Sequence, residues 1–227
     1  LWYFFVTVFG LIATPIVMRL FKSIPDRGYS VTKVVGLLVV AFIHWLFTSM
    51  GLLNNSIAGI WTAIIITIVI VFWISGKSGL IETVAWIKEN KNMVLFIEVI
   101  FFLIFVLMTL MRSYNPDIWG TEKPMELMFI NSILASKTFP PQDAWLSGYG
   151  ISYYYFGYVM VAMLAKLAST SGSIAFNLGI ALAFSLACNA SFGVVLNLIS
   201  FQKNKSESNV ATKKLKKSAL PALIAPV

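Results

Sequence analysis

Five long apolar runs constrain this chain more than any other feature. Each is close to the 20 residues that an α-helix needs to cross a bilayer. The runs are Trp2–Phe21, Val34–Leu53, Ile57–Ser75, Met93–Met111 and Ile174–Ser200. Only 11% of the residues are charged, too few to cover the surface of a soluble protein. We therefore predict an all-α, polytopic helix bundle in the cell membrane.

Rare residue types exclude several kinds of site. Cys188 is the only cysteine and His44 the only histidine. An internal disulfide, a cysteine or histidine metal cluster and a Ser-His-Asp triad are therefore not expected. The net charge of +8 indicates basic residues in cytoplasmic loops, as is typical of a membrane protein. The lysine-rich stretch 202–217 has no interleaved aromatic residues, so no nucleic-acid partner is predicted.

Basic residues outside the spans predict the topology. They form three clusters: Arg19, Lys22, Arg27 and Lys33; Lys77, Lys88 and Lys91; Lys203, Lys205, Lys213, Lys214, Lys216 and Lys217. All three lie on one side of the membrane if the shorter apolar stretch Ile151–Leu167 does not cross, and the positive-inside rule makes that side cytoplasmic. We therefore expect Ile151–Leu167 to be an interfacial or re-entrant helix, and segment 112–173 to be extracytoplasmic.

The same reasoning divides the chain into consecutive parts. Residues 1–92 form an N-terminal three-helix part, and residues 93–200 begin a core that contains loop 112–173. A basic cytoplasmic loop, 201–218, follows, and 219–227 start a further span. Because that span is cut short, we interpret the sequence as the N-terminal fragment of a longer chain. Long structured loops are commonly functional, so loop 112–173 is the candidate site.

Carboxylates in this loop are the candidate catalytic groups. The sequence predicts a helix from Pro124 to about Ser136, capped by Thr121. Glu122 and Glu126 are four residues apart, so they share one helical face near the end where the helix dipole favours anions. They either complement the dipole only, or act as a general base or a metal-ligating pair. Asp117 is a weaker catalytic candidate.

Other side chains of the loop are candidates for binding substrate. Cationic and aromatic groups can hold a phosphate and a sugar or lipid headgroup, respectively. The candidates are Arg112, Lys123, Trp119, Asp143, Trp145, Tyr153, Tyr154 and Tyr155. The tyrosines, predicted to lie on the helix Ile151–Leu167, can equally form an aromatic belt at the membrane surface. The sequence leaves the cofactor open, a divalent cation being compatible with the acidic residues.

Three blocks of this chain resemble one family. They are Thr121-Glu122-Lys123-Pro124-Met125-Glu126, Phe139-Pro140-Pro141-Gln142-Asp143 and Ser152-Tyr153-Tyr154-Tyr155-Phe156-Gly157. In this order they resemble the YYY-domain membrane proteins, an uncharacterised family of bacteria and archaea. Ile24-Pro25-Asp26-Arg27-Gly28-Tyr29 and the helix with His44-Trp45 resemble its N-terminal part. The chain departs from the pattern at Glu126 and Ala144, where Asp and Pro are expected.

The layout of that family is in turn similar to the C-type glycosyltransferases, which use polyprenyl-phosphate sugars. Those enzymes place an acidic residue after a span, followed by an amphipathic helix, a proline-containing segment and a short second helix. By position, the resemblance implies Glu122 as the base, Glu126 as its partner and a polyprenyl-phosphate-linked sugar as the substrate. The alternative is a non-catalytic transporter or assembly subunit for lipid-linked glycans. The oligomeric state is left open.

Polar residues within or beside the spans are expected to have partners in the bundle. Glu98 lies in the fourth run, where it reaches the interface, pairs with another helix or has a functional role. His44 is expected to form an interhelical hydrogen bond with Asn54 or Asn55. Asp26 and Arg27 are expected to form a local ion pair.

Overall fold

The computed structural model describes the backbone of residues 1–219 and the side chains of residues 1–202. This part of the chain forms seven α-helices and one short 3-10 turn at Tyr29–Val31. The helices are α1 Trp2–Leu20, α2 Thr32–Ser49, α3 Ile57–Glu89, α4 Lys91–Tyr114, α5 Lys123–Ala135, α6 Phe156–Ala168 and α7 Gly172–Ala219. The expected all-α architecture is confirmed.

Five of the described helices are long and apolar enough to span a membrane: α1, α2, α3, α4 and α7. They contain the five predicted runs, so the protein is a multi-pass membrane protein. The backbone of α7 continues past Ser200 through the basic stretch predicted as a loop. Lysine, glutamate and alanine favour a helix there. The further span expected after residue 219 lies outside the described residues.

Helix α6 is too short to cross. Its 13 residues extend about 20 Å, against roughly 30 Å of hydrocarbon. It begins at Phe156 instead of the predicted Ile151, because the preceding chain is held extended. Ile151 N donates to the Pro141 carbonyl at 2.8 Å, and Gln142 pairs with Gly150 as an antiparallel bridge.

Contacts between helices define two ends of the bundle. At one end, here called the loop end, Asn55 contacts α5 and Arg112 contacts Asn177 of α7. At the other, the basic end, Arg27 contacts Glu82 of α3. Asn197, near the far end of the α7 span, lies there too, against Asp26. α7 therefore runs from the loop end to the basic end, as expected if α6 does not cross.

Close packing of α1 on α2 organises the core. A Cβ atom on Gly36 of α2 would lie 2.1 Å from the Phe9 carbonyl oxygen, so only glycine permits this approach. The main apolar cluster around the crossing contains Val6, Phe9, Val40, Ile60, Phe101 and Leu164. It extends under α6, which packs on the bundle without spanning it.

The turn between α1 and α2 is held by Asp26, whose side chain is fully buried. Its carboxylate accepts hydrogen bonds from Gly28 N at 2.9 Å and Ser30 Oγ at 2.6 Å. The predicted Asp26–Arg27 ion pair is wrong. Arg27 instead binds Glu82 at 2.8 Å, and the Asp26 carboxylate is occupied by the turn itself and by Asn197.

Glu98 is paired inside the bundle. Its carboxylate contacts the Lys33 ammonium and accepts hydrogen bonds from the hydroxyls of Tyr29, at 3.0 Å, and Tyr3, at 3.3 Å. The Lys33 Nζ also lies 5.0 Å from the centre of the Phe101 ring. Of the roles considered for Glu98, the structure shows pairing with another helix. Lys33, which was expected in the cytoplasmic cluster, is therefore buried in the interior.

Candidate functional site

The candidate acidic pair lies at the start of α5. Glu122 occupies the cap position and its carbonyl accepts from Glu126 N at 3.0 Å. Pro124 is in the first turn, as predicted. Thr121 does not cap the helix, contrary to the prediction, because it adopts a left-handed conformation with φ of 53°. Together with Gly120, at φ of 84°, it turns the chain sharply from the loop into α5.

Two tyrosines face the acidic pair. The hydroxyl of Tyr158, on α6, interacts with the Glu126 carboxylate. Tyr153, before α6, is within electrostatic reach of Glu122. Both rings pack on Phe129 of α5, with centroids at 5.3 Å for Tyr158 and 5.6 Å for Tyr153. Phe129 thus provides the apolar surface that holds these phenols near the acids of α5.

Tyr153, Tyr154 and Tyr155 do not lie along a helix as predicted. Tyr153 donates to the Tyr154 hydroxyl at 2.7 Å, and their ring centres are 3.9 Å apart. Tyr155, the residue before α6, turns inward and accepts from Trp45 Nε1 at 3.0 Å. The triplet therefore divides into an exposed pair beside the acids and one anchor that fixes α6 to α2.

The surroundings raise the pKa of both phenols. The hydrogen bond to Tyr154, followed by desolvation and by the charge of Glu122, raises the pKa of Tyr153 to about 12. Burial, followed by the charge of Glu126, raises the pKa of Tyr158 well above its usual value of 10.0. A phenol with its usual pKa of about 10 is already protonated at neutral pH, so both hydroxyls carry a proton there. Tyr153 donates a hydrogen bond to Tyr154, and the carboxylates nearby can accept hydrogen bonds.

Arg112 lies at the same end of the bundle as the acidic pair and forms no ion pair with either acid among the described residues. Its Nε and Nη2 donate to Asn177 Oδ1 at 2.9 and 2.5 Å, and Asn177 Nδ2 donates to the Pro116 carbonyl at 3.3 Å. These residues line a cavity of about 300 Å³ between α4 and α7, whose walls are mostly apolar. The Thr109 hydroxyl, also on this wall, is buried without a hydrogen-bond partner.

The remaining candidates do not join the acidic pair. Asp117 is exposed, as are Trp119, at 82%, and Trp145, at 65%. Asp143 Oδ1 accepts from the backbone amides of Trp145, at 2.8 Å, and Leu146, at 3.1 Å, so it shapes its own turn. No hydrogen bond or ion pair in the described residues links Lys123 to the acids. Nor do three His, Cys, Asp or Glu side chains converge in residues 1–202.

A polar junction beneath α5 confirms one expectation and adds residues the sequence analysis missed. His44 Nε2 lies 3.2 Å from Asn55 Oδ1, as expected. Asn55 Nδ2 also donates to the carbonyls of Ile133, at 2.6 Å, and Ser136, at 2.9 Å. Lys166 Nζ donates to the Asn55 carbonyl at 2.9 Å. The single lysine in apolar α6 was the signal that could have indicated this contact.

Comparison with known proteins places this architecture in one family. Residues 39–225 match the family described as uncharacterized membrane protein DUF2298. No curated protein and no solved structure matches the chain. The matched range contains the acidic pair, the tyrosines, three of the five candidate spans in full and the second half of α2. The chain therefore belongs to the DUF2298 family of uncharacterized membrane proteins.

Proposed function

We propose that this protein is a membrane glycosyltransferase that uses a polyprenyl-phosphate sugar as donor and a hydroxyl group as acceptor. The observation that carries the proposal is the packing of Tyr153 and Tyr158 on Phe129 of α5, the helix that begins at Glu122 and Glu126, so that both phenols lie within the electrostatic reach of these acids. Carboxylates beside protonated hydroxyls can accept a proton and orient a sugar in the same place.

The proposed reaction is a displacement at the anomeric carbon. The acceptor oxygen bonds to that carbon as the bond to the phosphate oxygen breaks. Glu122, exposed at the start of α5, takes the acceptor proton, and the polyprenyl phosphate leaves with the bonding electron pair. Glu126 is the less exposed acid, and its contact with Tyr158 makes it a positioning residue for the sugar hydroxyls.

The donor phosphate is assigned to Arg112. This guanidinium binds only neutral oxygen in the described residues, so its charge is available to an anion. The adjoining cavity has mostly apolar walls, which suit the first isoprenoid units, and the unpartnered Thr109 hydroxyl can donate to a phosphate oxygen. Asp117, Lys123, Trp119, Trp145 and Asp143 remain candidates for acceptor contacts.

The test measures release of polyprenyl phosphate from a radiolabelled polyprenyl-phosphate hexose in vesicles that contain the protein. Donors carrying different hexoses are tried with a panel of hydroxyl acceptors. We expect Glu122→Gln to lower the rate by a factor of about 100 or more, since general-base catalysis contributes about 10²–10⁴-fold. Glu89→Gln is the matched control, because Glu89 is an exposed acid at the end of α3.

Two results would contradict the proposal. No release with any hexose donor by the unmodified protein would exclude the transferase activity. An unchanged rate in a folded Glu122→Gln protein would remove Glu122 as the base. Arg112→Gln should raise the donor concentration needed for half-maximal rate more than it lowers the maximal rate, since it binds the donor phosphate.

A second candidate function is a non-catalytic carrier or assembly subunit for lipid-linked glycans. It is favoured by the Lys33–Glu98 pair, because ionised groups within a membrane commonly mark transport pathways. This function requires movement of a fluorescent polyprenyl-phosphate hexose between leaflets to survive both Glu122→Gln and Glu126→Gln. Loss of movement with Glu98→Gln alone would select it over the transferase.

A further inference from the structure

A second cavity, of about 260 Å³, lies at the basic end, on the opposite side of the bundle from the acidic pair. The last turn of α1 and residues 75–83 of α3 form its walls. The residues with polar side chains that carry the argument are Arg19, Lys22, Arg27, Ser75, Ser78 and Glu82. None of them belongs to the proposed transferase site.

The cavity has a surplus of positive charge. Three cationic side chains line it, and Glu82 is the one carboxylate among its lining residues. Glu82 contacts Arg27 at 2.8 Å and Lys22 at 3.8 Å. Arg19 has no acidic partner among the described residues, and its Nη1 donates to the Ile74 carbonyl at 2.6 Å. The cavity is therefore electrostatically suited to an anion.

A kink in α3 adds amide groups to this environment. Gly76 has φ of 63° and ψ of 176°, which interrupts the helix and begins a new helical segment at residue 77. The first amides of a helix lack intrahelical acceptors, and the helix dipole favours anions there. Ser78 and Gly79, in that first turn, line the cavity. The Ile74 carbonyl that holds Arg19 lies two residues before the kink.

A buried hydroxyl provides an independent indication of a ligand. Ser75 is 9% exposed, and its Oγ has no hydrogen-bond partner. Buried polar groups are nearly always paired, so an unpaired one beside a cavity calls for a polar occupant. Thr83 differs, because its hydroxyl donates to the Gly79 carbonyl at 2.8 Å. Clustering of basic residues by the positive-inside rule alone would not place an unpaired hydroxyl among them.

We propose that this cavity binds a phosphate group, held by Arg19, Lys22 and the Ser75 hydroxyl, with Arg27 fixed in place by Glu82. The surplus of two positive charges is enough to neutralise a phosphate monoester, with up to two negative charges, or a diester, with one. The cavity volume holds the phosphate and a small substituent. The phosphate comes from an anionic phospholipid headgroup or from a soluble phosphate compound. A lipid can reach the cavity because Trp73, beside Ser75, is 81% exposed at this edge of the apolar span.

The test uses the purified full chain in a neutral detergent. Binding of dioleoyl phosphatidylglycerol and dioleoyl phosphatidylcholine is measured by native mass spectrometry, and inorganic phosphate by its effect on the thermal unfolding midpoint. We expect Arg19→Gln to weaken binding about tenfold, the usual effect of losing one charge-assisted hydrogen bond. Lys77→Gln, which removes an exposed charge outside the cavity, should change it less than twofold.

The arms distinguish the source of the phosphate. Preference for phosphatidylglycerol with no effect of inorganic phosphate identifies the lipid headgroup, and the reverse identifies a soluble compound. Absence of both, or equal weakening by Arg19→Gln and Lys77→Gln, overturns the proposal.

Ser75→Ala keeps the test valid if Arg19→Gln does not fold. It should weaken binding, while the free protein unfolds at the same temperature or higher because an unpaired hydroxyl is removed. If Ser75→Ala leaves binding unchanged, the Ser75 hydroxyl is not a ligand and the proposal fails.

Discussion

Asp26 and Asn197 exchange two hydrogen bonds across the described length of the chain. Asn197 Nδ2 donates to Asp26 Oδ1 at 2.8 Å, and Asp26 N donates to Asn197 Oδ1 at 3.1 Å. Nearby, a Cβ atom on Gly193 would lie 1.9 Å from Ser30 Oγ, so α7 can approach this turn only with glycine there. The turn between α1 and α2 is thus tied to the last of the described spans.

Asn197→Ala should destabilise the fold by about 1–3 kcal/mol, because it removes partners from a buried carboxylate. The thermal unfolding midpoint of the detergent-solubilised protein measures this effect. Arg27→Gln is the control, with an expected cost of less than about 1 kcal/mol, because its pair with Glu82 is partly exposed. A larger loss of stability for Arg27→Gln than for Asn197→Ala would contradict the prediction that the buried Asp26–Asn197 contact stabilises the fold more than the Arg27–Glu82 pair.

Lys33 and Glu98 should show strong coupling. Lys33→Met and Glu98→Met should each destabilise by about 3–5 kcal/mol, because each leaves an unpaired group in the interior. A Lys33→Met/Glu98→Met double variant should recover much of that loss, since neither charge remains. A double-mutant cycle by denaturant unfolding tests this, and simple addition of the single effects would show that the pair does not interact energetically.

Glu126→Gln should lower the pKa of Tyr158, because it removes the negative charge that helps to raise it. Burial remains the larger cause, so the pKa should stay above 10.0. The absorbance change on tyrosine ionisation, compared between the unmodified protein and Tyr158→Phe, measures it. An unchanged pKa of Tyr158 in Glu126→Gln would show that the Glu126 carboxylate does not act on Tyr158.

The same shift predicts how stability depends on pH. The pKa of Tyr158 is raised in the folded state, so above pH 10 the unfolded chain loses this proton first. Stability is therefore present below that pH and falls as pH rises further. Tyr158→Phe should reduce this alkaline loss, whereas Tyr114→Phe, at an exposed position, should not. Equal effects of both substitutions would contradict the assignment.

Gly36→Ala should prevent α1 and α2 from approaching closely. The added Cβ would meet the backbone of Phe9, which cannot rotate away, so we expect a loss of about 1–3 kcal/mol or failure to fold. Gly157→Ala is the matched control, because Gly157 lies in α6 with no atom within 4 Å of the added Cβ. It should be neutral or stabilising by up to about 1 kcal/mol.

The spans were predictable because bilayer thickness fixes their length and the interior of the bilayer fixes their composition. The His44–Asn55 contact was predictable because a polar side chain in an apolar helix requires a partner. Helix α5 was predictable apart from its cap, since the proline and the spacing of its apolar residues are local signals.

The remaining features depend on residues that are distant in the sequence or on the packing of the helices. Nothing near Arg112 in the sequence indicates Asn177, because the contact depends on the packing of α7 on α4. Tyr155 belongs to one motif with Tyr154 but turns inward because Trp45, far away in the sequence, supplies its hydrogen bond. Thr121 has the residue type of a helix cap, but the sharp turn before α5 requires a conformation that cannot cap.

The shortness of α6 has a consequence for biosynthesis. An apolar helix that does not cross must still be hidden from water once it has been translocated, in the predicted orientation. Its partners are Phe42 and Trp45 of α2, whose ring centres lie 6.5 and 5.8 Å from that of Phe156. α2 leaves the ribosome long before α6, so the surface that receives it is already in the membrane. Because α2 precedes α6 in the chain, the bundle can cover the apolar surface of α6 as soon as α6 has been synthesised.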